Sequence, residues 1–115
     1  MGVTAHASGT QTATVTTEHF LTSPNVAGVF TLHVDTVNMA DGDVVELREY
    51  QMILTGGTQR GALIGIFYGA QLTDDLVKRS TPVGNELTDT NSIRYSLKQT
   101  FGTGRNFPWK ALKYA

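Results

Sequence analysis

The sequence predicts an all-β domain, an antiparallel β-sandwich of jelly-roll or related Greek-key type. Three observations carry that expectation. The chain is rich in Thr, Val, Ile and aromatic residues, with 12 Gly interrupting its apolar runs, which suits pleated strands joined by tight turns. Apolar and polar residues alternate with period two around Phe30-Leu32-Val34 and again around Ile93-Tyr95-Leu97. At 115 residues the chain has room for one two-layer core, and having no Cys it must hold by burial and backbone hydrogen bonds alone.

The elements follow in order. Residues 1–11 are small and polar without apolar periodicity and are expected to form a flexible N-terminal arm, leaving 12–115 as a single domain. Thr12, Thr14 and Thr16 alternate with Ala13, Val15 and Thr17, predicting a strand to about Leu21, where Ser23-Pro24-Asn25 turns the chain. A strand over Val29 to Val37 puts Phe30, Leu32 and Val34 on one side and Thr31, His33 and Asp35 on the other, before the turn Ala40-Asp41-Gly42-Asp43. Val44 to Leu54 fits two templates, since Asp43 and Glu46 resemble a capping box and Val44, Leu47, Tyr50 and Leu54 fall at helical spacing. The strand is preferred, because Thr55-Gly56-Gly57-Thr58 is a hairpin turn; the unclean alternation predicts a bulge near Arg48 to Tyr50.

Gly61 to Ala70 places Gly61, Leu63, Gly65, Phe67 and Gly69 on one face and Ala62, Ile64, Ile66, Tyr68 and Ala70 on the other. Neither face is polar, so one of them needs cover from a loop, the arm or another subunit. A short element follows at Asp74 to Arg79, and Val83 to Leu87 reads as an edge strand, giving about eight strands. Ser92 to Tyr114 reads as a β-hairpin: Ile93, Tyr95 and Leu97 face one way, Arg94, Ser96 and Lys98 the other, and Gly102 and Gly104 serve the turn.

Charge is uneven along the chain: residues 1–77 carry two basic and eight acidic side chains, a balance of −6, and 78–115 carry seven basic and two acidic, +5. This polarity favours docking between a basic and an acidic surface, unless folding intermixes the charges. The N-terminus lacks a basic region followed by an apolar core, so export is not expected, and Met1-Gly2 with His6 fails the myristoylation pattern. No apolar run reaches membrane-spanning length.

Catalytic constellations are not evident. There is no Cys and no G-x-S-x-G, and His6, His19 and His33 lie apart, although His19 and His33 would be neighbours if their strands paired. Asp41 and Asp43, with Asn38 and Glu46, gather oxygen atoms at a turn without matching a calcium loop. Carboxylates at Asp74 and Asp75, or Glu46 and Glu49, do not converge on one glycosidic bond by spacing. Phe101, Phe107, Trp109 and Tyr114 interleave with Lys98, Arg105, Lys110 and Lys113 in the manner of single-strand binders, but Phe107 and Trp109 share a parity that faces away from Lys110 and fits a core row. Neither an enzyme nor a nucleic-acid partner is expected, and no cofactor or metal.

The strings FTLHVDTVNMADGDVVELREYQMIL, GALIGIFYGAQ and SLKQTFGTGRNFPWKALKY resemble small proteins encoded among the virion genes of tailed bacteriophages, over roughly Val29 to Ala115. The resemblance implies a non-enzymatic capsid cement or decoration protein, assembled in the host cytoplasm, that bridges neighbouring major capsid subunits, with a homo-oligomer as its expected form. Tail and head-completion roles are the nearest variants. Gly65, Phe67, Arg105 and Lys110 are the expected subunit or capsid contacts. The alternative is a carbohydrate-binding module or lectin, in which Tyr50, Tyr68 or Trp109 stacks on a sugar ring.

Overall fold

The period-two alternation read at Phe30-Leu32-Val34 and Ile93-Tyr95-Leu97 builds two facing sheets. The computed structural model describes residues 2–87 and 90–114, and among these every regular element is a strand. In chain order they are β1 (Val3–Thr12), β2 (Glu18–Thr22), β3 (Gly28–Asp35), β4 (Val44–Met52), β5 (Gln59–Tyr68), β6 (Val77–Arg79), β7 (Val83–Asn85), β8 (Ile93–Phe101) and β9 (Asn106–Tyr114). One sheet has the order β1-β9-β3-β6, with β7 also on β3; the other has β2-β8-β4-β5, and all pairs are antiparallel. We call them sheets A and B.

The pairs are nested. β1 lies on β9, β2 on β8, β3 on β6 and β7, and β4 on β5, as in one long folded-back ribbon. Wrapping that ribbon adds β9 to β3 and β8 to β4. The two last strands thereby become interior strands of different sheets. Their inward residues form the core: Phe30, Leu32 and Val34 from β3 and Phe107 and Ala111 from β9 meet Val45 and Leu47 from β4 and Ile93, Tyr95 and Leu97 from β8, all at 0 or 1 % exposure. Each large apolar side chain so buried contributes about 1.5–3 kcal/mol.

Several expectations hold. β3 buries the face read for it and β4 is a strand, but the bulge expected in β4 near Arg48 to Tyr50 lies instead on its partner, where Ile64 of β5 is the extra residue between the pairs Leu47–Gly65 and Arg48–Leu63. Others need correction. The expected arm is instead β1, paired with β9 from Val3 to Thr12; Met1 lies outside the described residues. Its side chains are small and mostly exposed, so an edge strand held by backbone bonds leaves no amphipathic trace. The strand expected from Thr12 to Leu21 is broken at Ala13 to Thr17, where Thr16 adopts a positive φ of 72° and the chain passes from sheet A to sheet B. Ser92 to Tyr114 is not a hairpin: β8 and β9 do not pair, and the link between them crosses the sandwich.

That crossing has a built anchor. Asp43, 1 % exposed, accepts hydrogen bonds from the N–H groups of Ala40 (2.9 Å) and Thr103 (3.2 Å) and an ion-paired one from Arg105 Nε (2.7 Å). Gln99, buried beside it, donates to the carbonyls of Phe101 and Thr103 and accepts from Arg105 N–H. Gly102, at φ 92°, lies against Asp43, and Gly104 lies against the Ala13 carbonyl; a Cβ at either would collide. Burial alone would raise the Asp43 pKa, but the Ala40 N–H, Arg105 and the Thr103 N–H together hold it below the usual aspartate value.

Glu49 is the opposite case. It stands opposite Tyr95 on the inward side, its Oε2 makes no hydrogen bond, and burial raises its pKa.

Two outcomes are expected. Asp43→Ala lowers the unfolding free energy by roughly 2–4 kcal/mol in urea titrations, since three donors lose their acceptor. Because the Asp43 pKa is depressed, that difference is complete above the ordinary value of 3.8 and shrinks as pH falls through the folded-state pKa. Glu49→Gln raises Tm at pH 7, because burial that raises the Glu49 pKa penalises the folded state there and not the unfolded one. The gain disappears below the ordinary glutamate value of 4.5, where both states of the parent are protonated.

Candidate interaction surface

Alternation that sends Tyr95 and Leu97 inward sends Arg94, Ser96 and Lys98 to the outer face of sheet B. The register brings Tyr50 opposite Arg94, Arg48 and Phe20 opposite Ser96, and Glu18 and Glu46 opposite Lys98. A cluster results that no single stretch of the sequence contains. The Arg94 guanidinium lies over two rings, 4.0 Å from the Phe20 centroid and 4.7 Å from that of Tyr50, and the rings are themselves 5.7 Å apart. Tyr50 and Ser96 hydroxyls both donate to Glu18 Oε2 at 2.5 Å, and Arg48 pairs with Glu46. Gly61 on β5 sits beneath the Tyr50 ring, where an added Cβ would lie 3.1 Å from Cε2, so glycine lets the phenol rest on the strand.

The electrostatics follow from these contacts. Burial works to raise the Glu18 pKa; the bonds from Ser96 and Tyr50, with the charges of Arg48 and Arg94, outweigh it and keep the carboxylate ionised. Tyr50 is shifted upward, mainly because its hydroxyl is bonded to Glu18. The cluster is therefore held in place within the chain itself.

Next to it, the outer side of β5 is apolar. Leu63, Ile66 and Tyr68 are 52, 37 and 69 % exposed, and Phe20 across the sheet is 45 % exposed. β5 is also an edge, bonded to β4 on one side only among the described residues. Its two faces are not those the sequence suggested. The bulge at Ile64 turns Gly65 and Phe67 inward while Gly61 and Leu63 face out with Ile66 and Tyr68.

The four residues expected to share a contact surface are therefore separated. Phe67 packs against the core with Lys78 Nζ 4.9 Å over its ring, and its ring fills the space beside Gly65. Arg105 is held by Asp43, and only Lys110, on the outer face of sheet A, projects freely. His19 accepts a hydrogen bond from Thr14 N–H in sheet B while His33 belongs to sheet A, so the imagined two-His pair does not form. Among the described residues no three His, Asp or Glu gather as metal ligands would. Of the aromatic series, Phe107 is core and Trp109 packs against it. The charge halves also intermix, since basic β8 lies between acidic β2 and β4.

Comparison with family models, with curated proteins and with solved structures returns no match. Functional inference rests on the chain's own surface.

Removing both donors with Tyr50→Phe and Ser96→Ala raises the Glu18 pKa toward the ordinary 4.5 in a carboxyl-carbon NMR titration. An unchanged titration would mean that the two hydroxyls do not set it.

Proposed function

We propose that this chain is a non-enzymatic structural protein of a virus particle, of the capsid cement or decoration kind, that works by contact with shell subunits and with copies of itself. The observation that carries the reading is the outer face of sheet B, where exposed Leu63, Ile66 and Tyr68 on an edge strand adjoin a pre-ordered Phe20-Arg94-Tyr50 stack. Arg and aromatic side chains beside apolar surface are the composition of protein interface centres, and fixing them in advance lowers the ordering cost of association. Apolar area on an unpaired edge is what an isolated domain keeps covered or charged and what an assembly subunit covers with a neighbour.

Topology supports the same reading. The nested pairs, with sheet orders β1-β9-β3-β6/β7 and β2-β8-β4-β5, are those of a wrapped ribbon, and we read the sandwich as a jelly roll, an architecture common in viral shells. The resemblance of Val29 to Ala115 to virion proteins of tailed bacteriophages points the same way. Major capsid or other virion proteins are the partners this implies, and the particle is the place of action.

The test is quantitative mass spectrometry of virus particles purified from the producing cells. The chain is expected in particles at a fixed ratio to the major shell subunit. Its presence only in the free lysate fraction, with none in particles, would overturn the proposal.

A further inference from the structure

The outer face of sheet A carries a feature that the assembly reading does not use. Register places Ser8 opposite Lys110, Lys110 opposite His33, and His33 opposite Arg79, so one row crosses β1, β9, β3 and β6. Three of its four members are basic, on neighbouring strands about 4.8 Å apart. Lys110 and Arg79 bring two positive charges to either side of His33, an arrangement that an anion seated between them would relieve. Among the described residues neither Lys110 nor Arg79 makes an ion pair.

His33, half-buried, joins two hollows. One, of about 280 Å³, is lined by Ser8, Asp35, Val77, Pro108, Trp109 and Lys110 with an almost wholly apolar floor; the other, of about 520 Å³, continues past Arg79 to Thr73, Asp74 and Asp75. Three carboxylates line the two hollows. Asp35, two residues along the same face, accepts from Val37 N–H, and Asp75 is bridged to Lys78, which leaves Asp74 at the far end. The His33 ring is oriented by its Nε2 contact with Thr31 Oγ1 at 2.9 Å.

We propose that this row is an oxyanion-binding site, in which Lys110 and Arg79 close from either side of His33 on a carboxylate or phosphate group whose apolar body lies on Pro108 and Val77. Lys110 and Arg79 stand two strands apart, about 9–10 Å between Cα atoms, so both long side chains reach a group seated above the imidazole. The Ser8 hydroxyl adds a donor at the end of the row. Burial, Lys110 and Arg79 together keep His33 below its ordinary pKa, so the ring is neutral at pH 7 in the empty site. A bound anion offsets those charges, and binding takes up a proton.

The probe is inorganic phosphate, titrated at constant ionic strength against sodium chloride while the Hε1 resonances of the three histidines are followed across pH. The expected result is a saturable shift confined to His33 and a rise of its pKa, with His6 and His19 unmoved. Lys110→Met and Arg79→Met, both at exposed positions, each weaken the affinity about tenfold or more, and Asp74→Asn strengthens it. The unchanged His6 and His19 resonances verify that the variants fold. Acetate and a hexaglutamate peptide identify the source: tightest binding by phosphate marks a free or esterified phosphate, and a peptide affinity at least tenfold above that of acetate marks an acidic segment of a partner. A His33 response identical in phosphate and chloride, or one unaffected by Lys110→Met with Arg79→Met, would overturn the site.

Discussion

The passage from β8 to β9 is the constraint on which the rest of the fold depends. Each of these strands is flanked on both sides, β8 by β2 and β4 and β9 by β1 and β3, so the four residues between them must carry the chain from the middle of one sheet to the middle of the other. A link that sagged would shift the register of both sheets together, and a shift of one residue exchanges core and surface faces. Asp43 and Gln99 prevent it. Their side chains satisfy five backbone groups and one guanidinium at the crossing, and Asp43 does so from the turn that opens β4, tying two connections at one end of the sandwich. The backbone adds its own ties there, Ala13 N–H to Arg105 O, Thr16 N–H to Gln99 O and Gly69 N–H to Asp43 O.

Once the register is fixed, the two outer faces take different characters. Sheet B answers most of its charges internally: Glu18 collects two hydroxyls, Arg48 takes Glu46, and Arg94 is covered by rings, although its buried Nε makes no hydrogen bond. What it leaves over is apolar, on β5. Sheet A leaves over charge, in the row from Lys110 through His33 to Arg79. The edges differ as well: β6 and β7 are short and separated by Ser80 to Pro82, and β2 is five residues long with a register shift, whereas β1 and β5 each run for ten residues with a single register shift. Of the two long edges, β5 is the one beside the apolar surface.

Much of the sandwich was legible because its central strands alternate cleanly. Phe30-Leu32-Val34 and Ile93-Tyr95-Leu97 announce both strand and buried face, and Thr55-Gly56-Gly57-Thr58 announces the β4 to β5 hairpin. Partner choice was not legible. Two strands joined by a short Gly-rich link look like a hairpin locally, whereas β8 and β9 part to pair with β4 and β3, with the distant Asp43 holding the link between them. β1 was missed because Ala, Ser, Gly and Thr give no amphipathic signal, and the faces of β5 were exchanged in part by one bulged residue, Ile64, whose presence depends on β4. The Phe20-Tyr50-Arg94 cluster was hidden for a simpler reason: its members lie 30 and 44 residues apart, and only the polar side of β8 could have hinted at it.

The central claim is that the apolar side of β5 is a contact surface, and light scattering of the purified protein over a wide concentration range tests it most directly. The account predicts a defined closed oligomer of the 12.5 kDa chain, which Leu63→Lys with Ile66→Lys reduces to monomer without lowering Tm. A parent protein that stays monomeric at every concentration, or an oligomer indifferent to those two substitutions, would contradict it.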